Sequence, residues 1–460
     1  MPFIPHTKTD ITQMLSAIGV NSIEELFNEI PLEHRVAQST VRIPEGISEQ
    51  ELYILMNQLA EKNNIATNFI GSGNYDHFIP AAVWQTASRG EFYSAYTPYQ
   101  PEVSQGTLQT IFEFQTMMTE LTGLEVSNAS LYDGASALSE AILMAVRINP
   151  EKRTILIPEL LHPHYTQTCL TLTYNQNITI TKIPCTNSAM IDKVSLEKKL
   201  QKNNNCALVI PFPNYFGVFD DVDALVDLAD RYHCSVIAVV NPMVLASLKP
   251  PGLWGTKGVD FACGDGQPLG IPLCAGGPSY GFLCCRMAAV RQMPGRIVGK
   301  TVDSTGKEGF VLALQAREQH IRRTKATSNI CTNQGLAVTA STIYMALMGS
   351  KGLHATFCKS NFQAKKLFTK LKTIRGVSIP LKNYGYETIV TLPVNAKLFL
   401  QAMAKKGILA GTLPNPMVSS ALSNIVGKSM LLKTMLVAAT EKRTDEEIAT
   451  YIQYAKQTLC

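Results

Sequence analysis

The sequence predicts an α/β fold: a mostly parallel sheet with helices on both faces. Three observations carry this reading. Short apolar runs recur at 154–157, 178–183, 207–210, 235–240 and 259–262. Amphipathic helices separate them, one with Leu138, Ala141, Ile142 and Ala145 inward, another headed by Asp221 with Val222, Leu225, Val226 and Ala229 inward. The runs are continuously apolar rather than alternating, as in strands covered on both sides. Ligands of such sheets sit beyond the C-terminal strand ends.

The totals bound the rest. A chain of 460 residues suggests two or three domains. Hydrophobic residues make up 46%, and the net charge of +5 is spread without a basic tract, which argues against a nucleic-acid partner. No 18-residue apolar run is present, so no membrane span is expected. The first residues, MPFIPHTKTD, lack the pattern of a signal peptide. Eleven scattered cysteines without a C-x-x-C pair suggest reduced thiols and a cytoplasmic location. Cys284 and Cys285 lie in an apolar run and read as core.

The first 65 residues read as a helical arm. Thr9 or Asp10 is the expected cap of a helix carrying Ile11, Met14, Leu15 and Ile18 and ending at Gly19. Ser22 with Glu25, and Ser48 with Glu51, have capping-box spacing. The loop 71–77, GSGNYDH, lacks the Lys-Ser/Thr ending of a nucleotide P-loop and reads as a turn needing positive φ.

Residues 96–134 carry the densest pattern. Tyr96, Thr97, Pro98, Tyr99 and Pro101 form an aromatic loop stiffened by its prolines. A helix follows, with Ser104 as N-cap, Leu108, Ile111, Phe112 and Met118 at helical spacing, and Gly123 as C′ residue. The small-residue turn of Tyr132, Asp133, Gly134, Ala135 and Ser136 opens a second helix. Its free backbone N–H groups are expected to suit an anion. Beyond about Ser328 another helix is expected, then a smaller α+β unit with helices at 360–371 and 396–406, an extended run at 385–392, and a last helix capped by Thr444 and Glu447.

The words GDGQPLGIP from Gly264, PGRIVGKTVD from Pro294 and REQHIRRTKATSNICTNQ from Arg317, with residues 96–134, carry a resemblance over nearly the whole chain. The sequence resembles the N-terminal half of the glycine cleavage system P-protein, the glycine decarboxylase, and subunit 1 of its split two-subunit bacterial form. The resemblance implies a fold-type-I PLP-dependent transferase-like fold. On it, residues 1–65 are the arm, 66–330 the large domain and 331–460 the small C-terminal domain.

Such an enzyme needs a phosphate-holding helix start, a flat side chain over the pyridine ring, a carboxylate on the ring nitrogen and a Schiff-base lysine. By resemblance Asp133, Gly134 and Ser136 stand at the phosphate turn, and His162 at the stacking position. Asn241 occupies the slot of the pyridine-binding aspartate. An amide there supplies no negative charge. Gln267 lies in the run 259–269, where the lysine belongs. That run has no lysine, nor is there any between Lys257 and Lys300. The catalytic lysine is therefore absent.

The resemblance implies that pyridoxal phosphate is carried by a sister chain, P-protein subunit 2, in a heterotetramer. The complex then acts as a glycine dehydrogenase (aminomethyl-transferring). It takes glycine, releases CO2 and hands the aminomethyl group to the lipoyl group of H-protein. This chain would complete the partner's site. Tyr93, Tyr96, Thr97 and Tyr99 are candidates to cross the interface, or are tyrosines of the chain's own core and loops. Arg322, Arg323, Thr327, Ser328 and Asn329 could hold an anion at a helix start, or form an exposed basic helix end. His162 and His164 lack a third metal ligand, so no metal is expected. The rival readings are a non-catalytic regulatory homologue, an autonomous PLP enzyme with an atypical lysine, and a nicotinamide dehydrogenase. The last lacks its G-x-G-x-x-G. Incubating the chain alone with pyridoxal phosphate and reducing with borohydride is expected to leave no modified lysine. A labelled peptide on mapping would overturn the reading.

Overall fold

Capping boxes frame both helices of the N-terminal segment. The computed structural model describes residues 5–35, 44–63, 66–202 and 204–459, which divide into one compact unit up to residue 64 and another after it. Helix α1 (Lys8–Ile18) is capped by Thr7, not by Thr9 or Asp10. Asp10 is instead the third residue of the helix, and its carboxylate accepts from the Thr7 N–H at 2.7 Å. Gly19 ends the helix at φ 85° as expected. Helix α2 (Glu49–Glu61) has the expected Ser48–Glu51 box. The Ser22–Glu25 box does not form. Residues Glu24–Phe27 make a 3-10 turn preceded by Ile23, and Glu25 accepts from the Asn21 N–H instead. Neither α1 nor α2 buries a residue.

The second unit is built on strands β1 (Thr67–Asn68), β2 (Val126–Ser127), β3 (Thr154–Pro158), β4 (Thr179–Ile183), β5 (Asn205–Phe212), β6 (Ser235–Val240), β7 (Phe261–Asp265) and β8 (Gly281–Cys285). Then come β9 (Ile297–Val302), β10 (Glu308–Ala313), β11 (Glu387–Thr391), β12 (Ile408–Leu409) and β13 (Thr434–Ala438). A seven-stranded sheet has the order β2-β8-β7-β6-β5-β3-β4. β3 to β7 run parallel, and β8 is antiparallel to both its neighbours. All five expected strands are present. Every residue of β5 is buried, which explains its unbroken apolar run.

The helices of this unit begin with α3 (Ala81–Ala87), α4 (Gln105–Thr122), α5 (Gly134–Ile148), α6 (Pro163–Thr173), α7 (Lys193–Leu200), α8 (Val222–Arg231) and α9 (Pro242–Leu245). They continue with α10 (Gln319–Arg322), α11 (Gly335–Leu371), α12 (Ala396–Lys405), α13 (Ser419–Val426) and α14 (Asp445–Leu459). Gly123 and the Thr444–Glu447 box stand as expected, and Gly407, at φ 75°, follows the end of α12. Ser104 precedes α4 but makes no side-chain cap bond. Its backbone, at φ −125° and ψ 20°, is outside the extended geometry that aims a capping hydroxyl.

The helix expected near Ser328 starts seven residues later, at Gly335. Ser130 and Tyr132 hold the intervening chain. The Ser130 hydroxyl accepts from the Asn333 amide at 2.8 Å and from the Gln334 N–H at 3.2 Å, and Tyr132 accepts from the Cys331 N–H at 3.0 Å. Residues 360–371 are the second arm of α11, which bends at Gly349 where φ is 58°.

Cys284 and Cys285 are fully buried in β8, as core. Among the described residues no helix is long and apolar enough to cross a membrane. Nor does any group of three His, Cys, Asp or Glu stand ready for a metal. One tight junction tests the packing. A Cβ on Gly252 would collide with the Gly123 carbonyl, and Gly123 is itself committed to φ 67° as the end of α4. Gly252→Ala is expected to destabilise the chain by about 1–3 kcal/mol, read as a lowered denaturation midpoint.

Candidate functional site

The parallel strands deliver their C-terminal ends to one cavity. Pro211 and Pro213 come from β5, Val239 and Asn241 from β6, Asp265 and Pro268 from β7. Leu161 and His162 follow β3, and Gly73, Tyr75 and Glu387 close the other side. The cavity is about 80 Å³. It shares Gly73, His162, Tyr165, Tyr215 and Asp265 with a wider cleft of about 840 Å³. The 71–77 loop therefore does more than turn. Ser72 (φ 61°) and Gly73 (φ 99°) take positive φ as expected, and Gly73 and Tyr75 line the cavity.

Of the vestigial-pocket candidates, His162 and Asn241 line this cavity, Asp133 and His162 line the cleft, and Gly134, Ser136 and Gln267 stand behind the walls. The His162 ring stands edge-on to Tyr215 at 5.1 Å. Its Nδ1 accepts from the His164 N–H at 3.2 Å, so Nε2 carries the proton and donates to the Ser72 carbonyl at 3.1 Å. Burial pushes the imidazole down to about 4 against the opposing pull of the Ser72 carbonyl, so the ring is neutral. Asn241 caps α9 through Oδ1, and its amide donates to the Tyr386 hydroxyl at 2.5 Å. Gln267 is buried. It accepts from the Tyr75 N–H at 2.9 Å and donates to the carbonyls of Tyr75 and Ile271.

The turn at Asp133, Gly134 and Ser136 departs from expectation. The N–H groups of Asp133, Gly134 and Ser136 are already bonded within the chain. Asp133 and Ser136 form a capping box on α5. The Gly134 N–H donates to the Asp265 carboxylate at 3.2 Å. Asp265 also accepts from the Gln267 N–H at 2.9 Å and the Ser279 hydroxyl at 2.5 Å. A carboxylate of the chain thus sits where an anion was expected. Burial raises the Asp265 pKa, and these three hydrogen bonds oppose that rise.

Glu387 was missed by sequence reasoning. It is buried, accepting from the Tyr75 hydroxyl at 2.7 Å and the Ser72 N–H at 2.5 Å. Burial pushes its carboxyl from the ordinary 4.5 to about 7. The available signal was one acid heading an otherwise uncharged strand, ETIVT.

The tyrosine loop lines a separate cavity of about 520 Å³, with Tyr93, Tyr96, Tyr132, Arg296, Asn333, Gln334 and the start of α11 on its walls. It shares Tyr132 and Gln334 with the wider cleft. Tyr93 and Tyr96 are exposed, Tyr96 by 88%. Thr97 is half-buried. Tyr99 is held from inside: its hydroxyl accepts from Arg296 at 3.0 Å, with the guanidinium 5.2 Å from its ring. Arg296, also missed, is 3% exposed and donates to Asn333 at 3.2 Å, with Glu318 at 3.7 Å.

Arg322 and Arg323 do not join this cavity. Both are exposed at the one-turn helix α10, where Arg322 donates to the Ala316 carbonyl. The Thr327 N–H is tied to the Arg317 carbonyl, Ser328 accepts from the Ile330 N–H, and Asn329 is exposed. None of these three stands at a helix start, because α11 begins later.

The family model of the glycine cleavage system P-protein matches residues 1–454. The chain belongs to the glycine cleavage system P-protein family. It is 51% identical over 459 residues to the probable glycine dehydrogenase (decarboxylating) subunit 1 of Nitrosospira multiformis, covering 98% of each chain. It is 50% identical to the protein of the same name from Nitrosomonas europaea, over 100% of this chain and 99% of that one. A crystal structure of glycine decarboxylase (P-protein) of the glycine cleavage system, in inhibitor-bound form, aligns over all of both chains at 37% identity with a TM-score of 0.88. The glutamate decarboxylase of Lactobacillus brevis shares the fold alone, at 12% identity, TM-score 0.66, over 92% of this chain and 95% of that one. The fold is that of the fold-type-I PLP-dependent enzymes.

In this P-protein-family chain the cavity residues do not fit pyridoxal phosphate. Among the described residues no lysine lines the cavity or the cleft, and the Gly134 and Ser136 N–H groups of the turn are already bonded to Asp265 and Asp133. The buried acid gives a pH test. A carboxyl raised by burial stabilises the fold below its unfolded pKa near 4.5 and loses that stability as pH rises through about 7. Glu387→Gln has no proton to lose. The stability of the native chain is expected to fall by about 3 kcal/mol more than that of Glu387→Gln between pH 4.5 and 8, measured by denaturation at each pH.

Proposed function

We propose that this chain is subunit 1 of a two-subunit glycine dehydrogenase (decarboxylating) that works in glycine cleavage in the cytoplasm. The subunit 1 names of its relatives support a second subunit. One observation in the chain carries the reading furthest. The end of the last parallel strand and the run after it hold Asp265 and Gln267, both hydrogen-bonded into the wall, and no lysine. The cofactor then belongs to the sister subunit. When bound there, pyridoxal phosphate supplies an electron sink for the loss of glycine's carboxylate. CO2 leaves, the aminomethyl group passes to the lipoyl arm of H-protein, and the lipoyl disulfide takes the electrons.

In this reading the chain acts through the 520 Å³ cavity rather than its own cleft. Tyr93 and Tyr96 offer exposed rings and hydroxyls to the partner's site, and Arg296 fixes the loop through Tyr99. The N-terminus of α11 has no side-chain cap, so its first N–H groups and the buried cation favour a negatively charged group there. Thr97 and the segment of Arg322, Arg323, Thr327, Ser328 and Asn329 lie near or outside this surface and are further contact candidates. The division into arm, large domain 66–330 and small domain 331–460, and the heterotetramer, belong to the same proposal.

The test is co-expression with a lysine-bearing sister chain and assay of glycine-dependent bicarbonate exchange. Activity is expected from the pair and from neither chain made without a partner. Tyr96→Ala is expected to lower exchange by about tenfold or more while the subunits still co-purify. Failure to co-purify, with no gain in exchange, would favour a regulatory homologue.

A further inference from the structure

Seven of the ten described thiols are buried or half-buried, and burial pushes each of them up, Cys169 to about 12 and Cys284 to about 11. Only Cys274, Cys331 and Cys358 are exposed among the described residues. Cys358 differs from the other two. It lies on the second arm of α11, and its Sγ is 3.5 Å from Nε2 of His354, one turn earlier. The His354 Nδ1 is 2.8 Å from the Ser247 hydroxyl, which comes from the segment after α9. Thiol, imidazole and hydroxyl thus form a chain of nucleophile, base and orienting group. The helix's own stretch of sequence is basic, while acids from other elements reach its neighbourhood, Glu441 at Ser360 and Asp223 at Lys249. From residue 319 to 386 the sequence holds 11 Lys or Arg and no Asp or Glu, with Lys359 next to the thiol and Lys351 one turn before His354. The imidazole nitrogen beside the sulfur is placed to take the thiol proton as the sulfur attacks.

We propose that Cys358 is a modification site: the reactive thiol of this chain, with His354 as proton acceptor and Ser247 holding the ring, open to small electrophiles and to peroxides. With an alkyl iodide the Sγ–carbon bond forms, the carbon–iodine bond breaks, iodide leaves and the thiol proton passes to His354 Nε2. With hydrogen peroxide the sulfur is oxidised to a sulfenic acid as the O–O bond breaks. The departing hydroxide takes the proton from His354 and leaves as water, the reduced product. The site lies apart from the glycine reading and stands or falls without it.

The test uses the full-length folded chain and a short pulse of iodoacetamide, with labelling read per cysteine by peptide mass spectrometry. Cys358 is expected to react about tenfold or more faster than Cys274 and Cys331. A prior pulse of dilute hydrogen peroxide is expected to block Cys358 first. His354→Gln is expected to bring its rate down to that of the other two, and Ser247→Ala to lower it in part. The buried thiols report folding in every sample by staying unlabelled. If Cys358 in the native chain reacts no faster than Cys274 and Cys331, or if both variants leave its rate unchanged, the proposal fails.

Discussion

The Asp265 carboxylate is the contact around which the cleft is closed. It joins the end of β7 to the first N–H of α5 and to Ser279 in the segment before β8. Three donors on one acid form only if the backbones come very close. The glycines beside it show how close. A Cβ on Gly134 would strike the Tyr165 hydroxyl, one on Gly264 the Val240 carbonyl, and one on Gly266 the Tyr280 ring. The word GDG is thus an acid flanked by two residues without side chains, because neither position has room for one. A half-buried carboxylate is tolerated where its lone pairs are satisfied, and here they are.

That arrangement separates two environments that share a wall. On one side the narrow cavity holds two acids, half-buried Asp265 and buried Glu387, and a neutral His162. On the other, the larger cavity holds the Arg296 cation, exposed tyrosines and the uncapped start of a 37-residue helix. Tyr132 and Gln334 line the clefts on both sides. An acidic lining disfavours an anionic ligand, and a cation beside free N–H groups favours one. On the proposed reading, the receptive surface lies beside, not within, the cleft that the strands of its fold converge on.

The same physics explains which local signals held. Gly19, Gly123 and Gly407 end their helices because positive φ is a property of one residue and needs no distant partner. The Thr444 and Ser48 boxes also formed, each between residues three apart, whereas the Ser22–Glu25 pair at the same spacing did not. Signals that required a partner failed. The start of α11 slid from Ser328 to Gly335 because Ser130 and Tyr132, some 200 residues earlier, hold the segment between. Glu387 and Arg296 went unnoticed because a single charged residue in an apolar stretch gains meaning only from what surrounds it.

Taken alone, the sequence determined the parallel strands, their covering helices, the family and the lysine-free run from 258 to 299. Those follow from periodicity and residue identity, which are local. Tertiary structure decided that the α5 turn is filled by Asp265, that Tyr99 rests on Arg296 while Tyr96 stands free, and that the arginines at 322 and 323 point to solvent. Each of these depends on groups far apart in the chain being brought within hydrogen-bonding distance, and no spacing along a sequence encodes that distance.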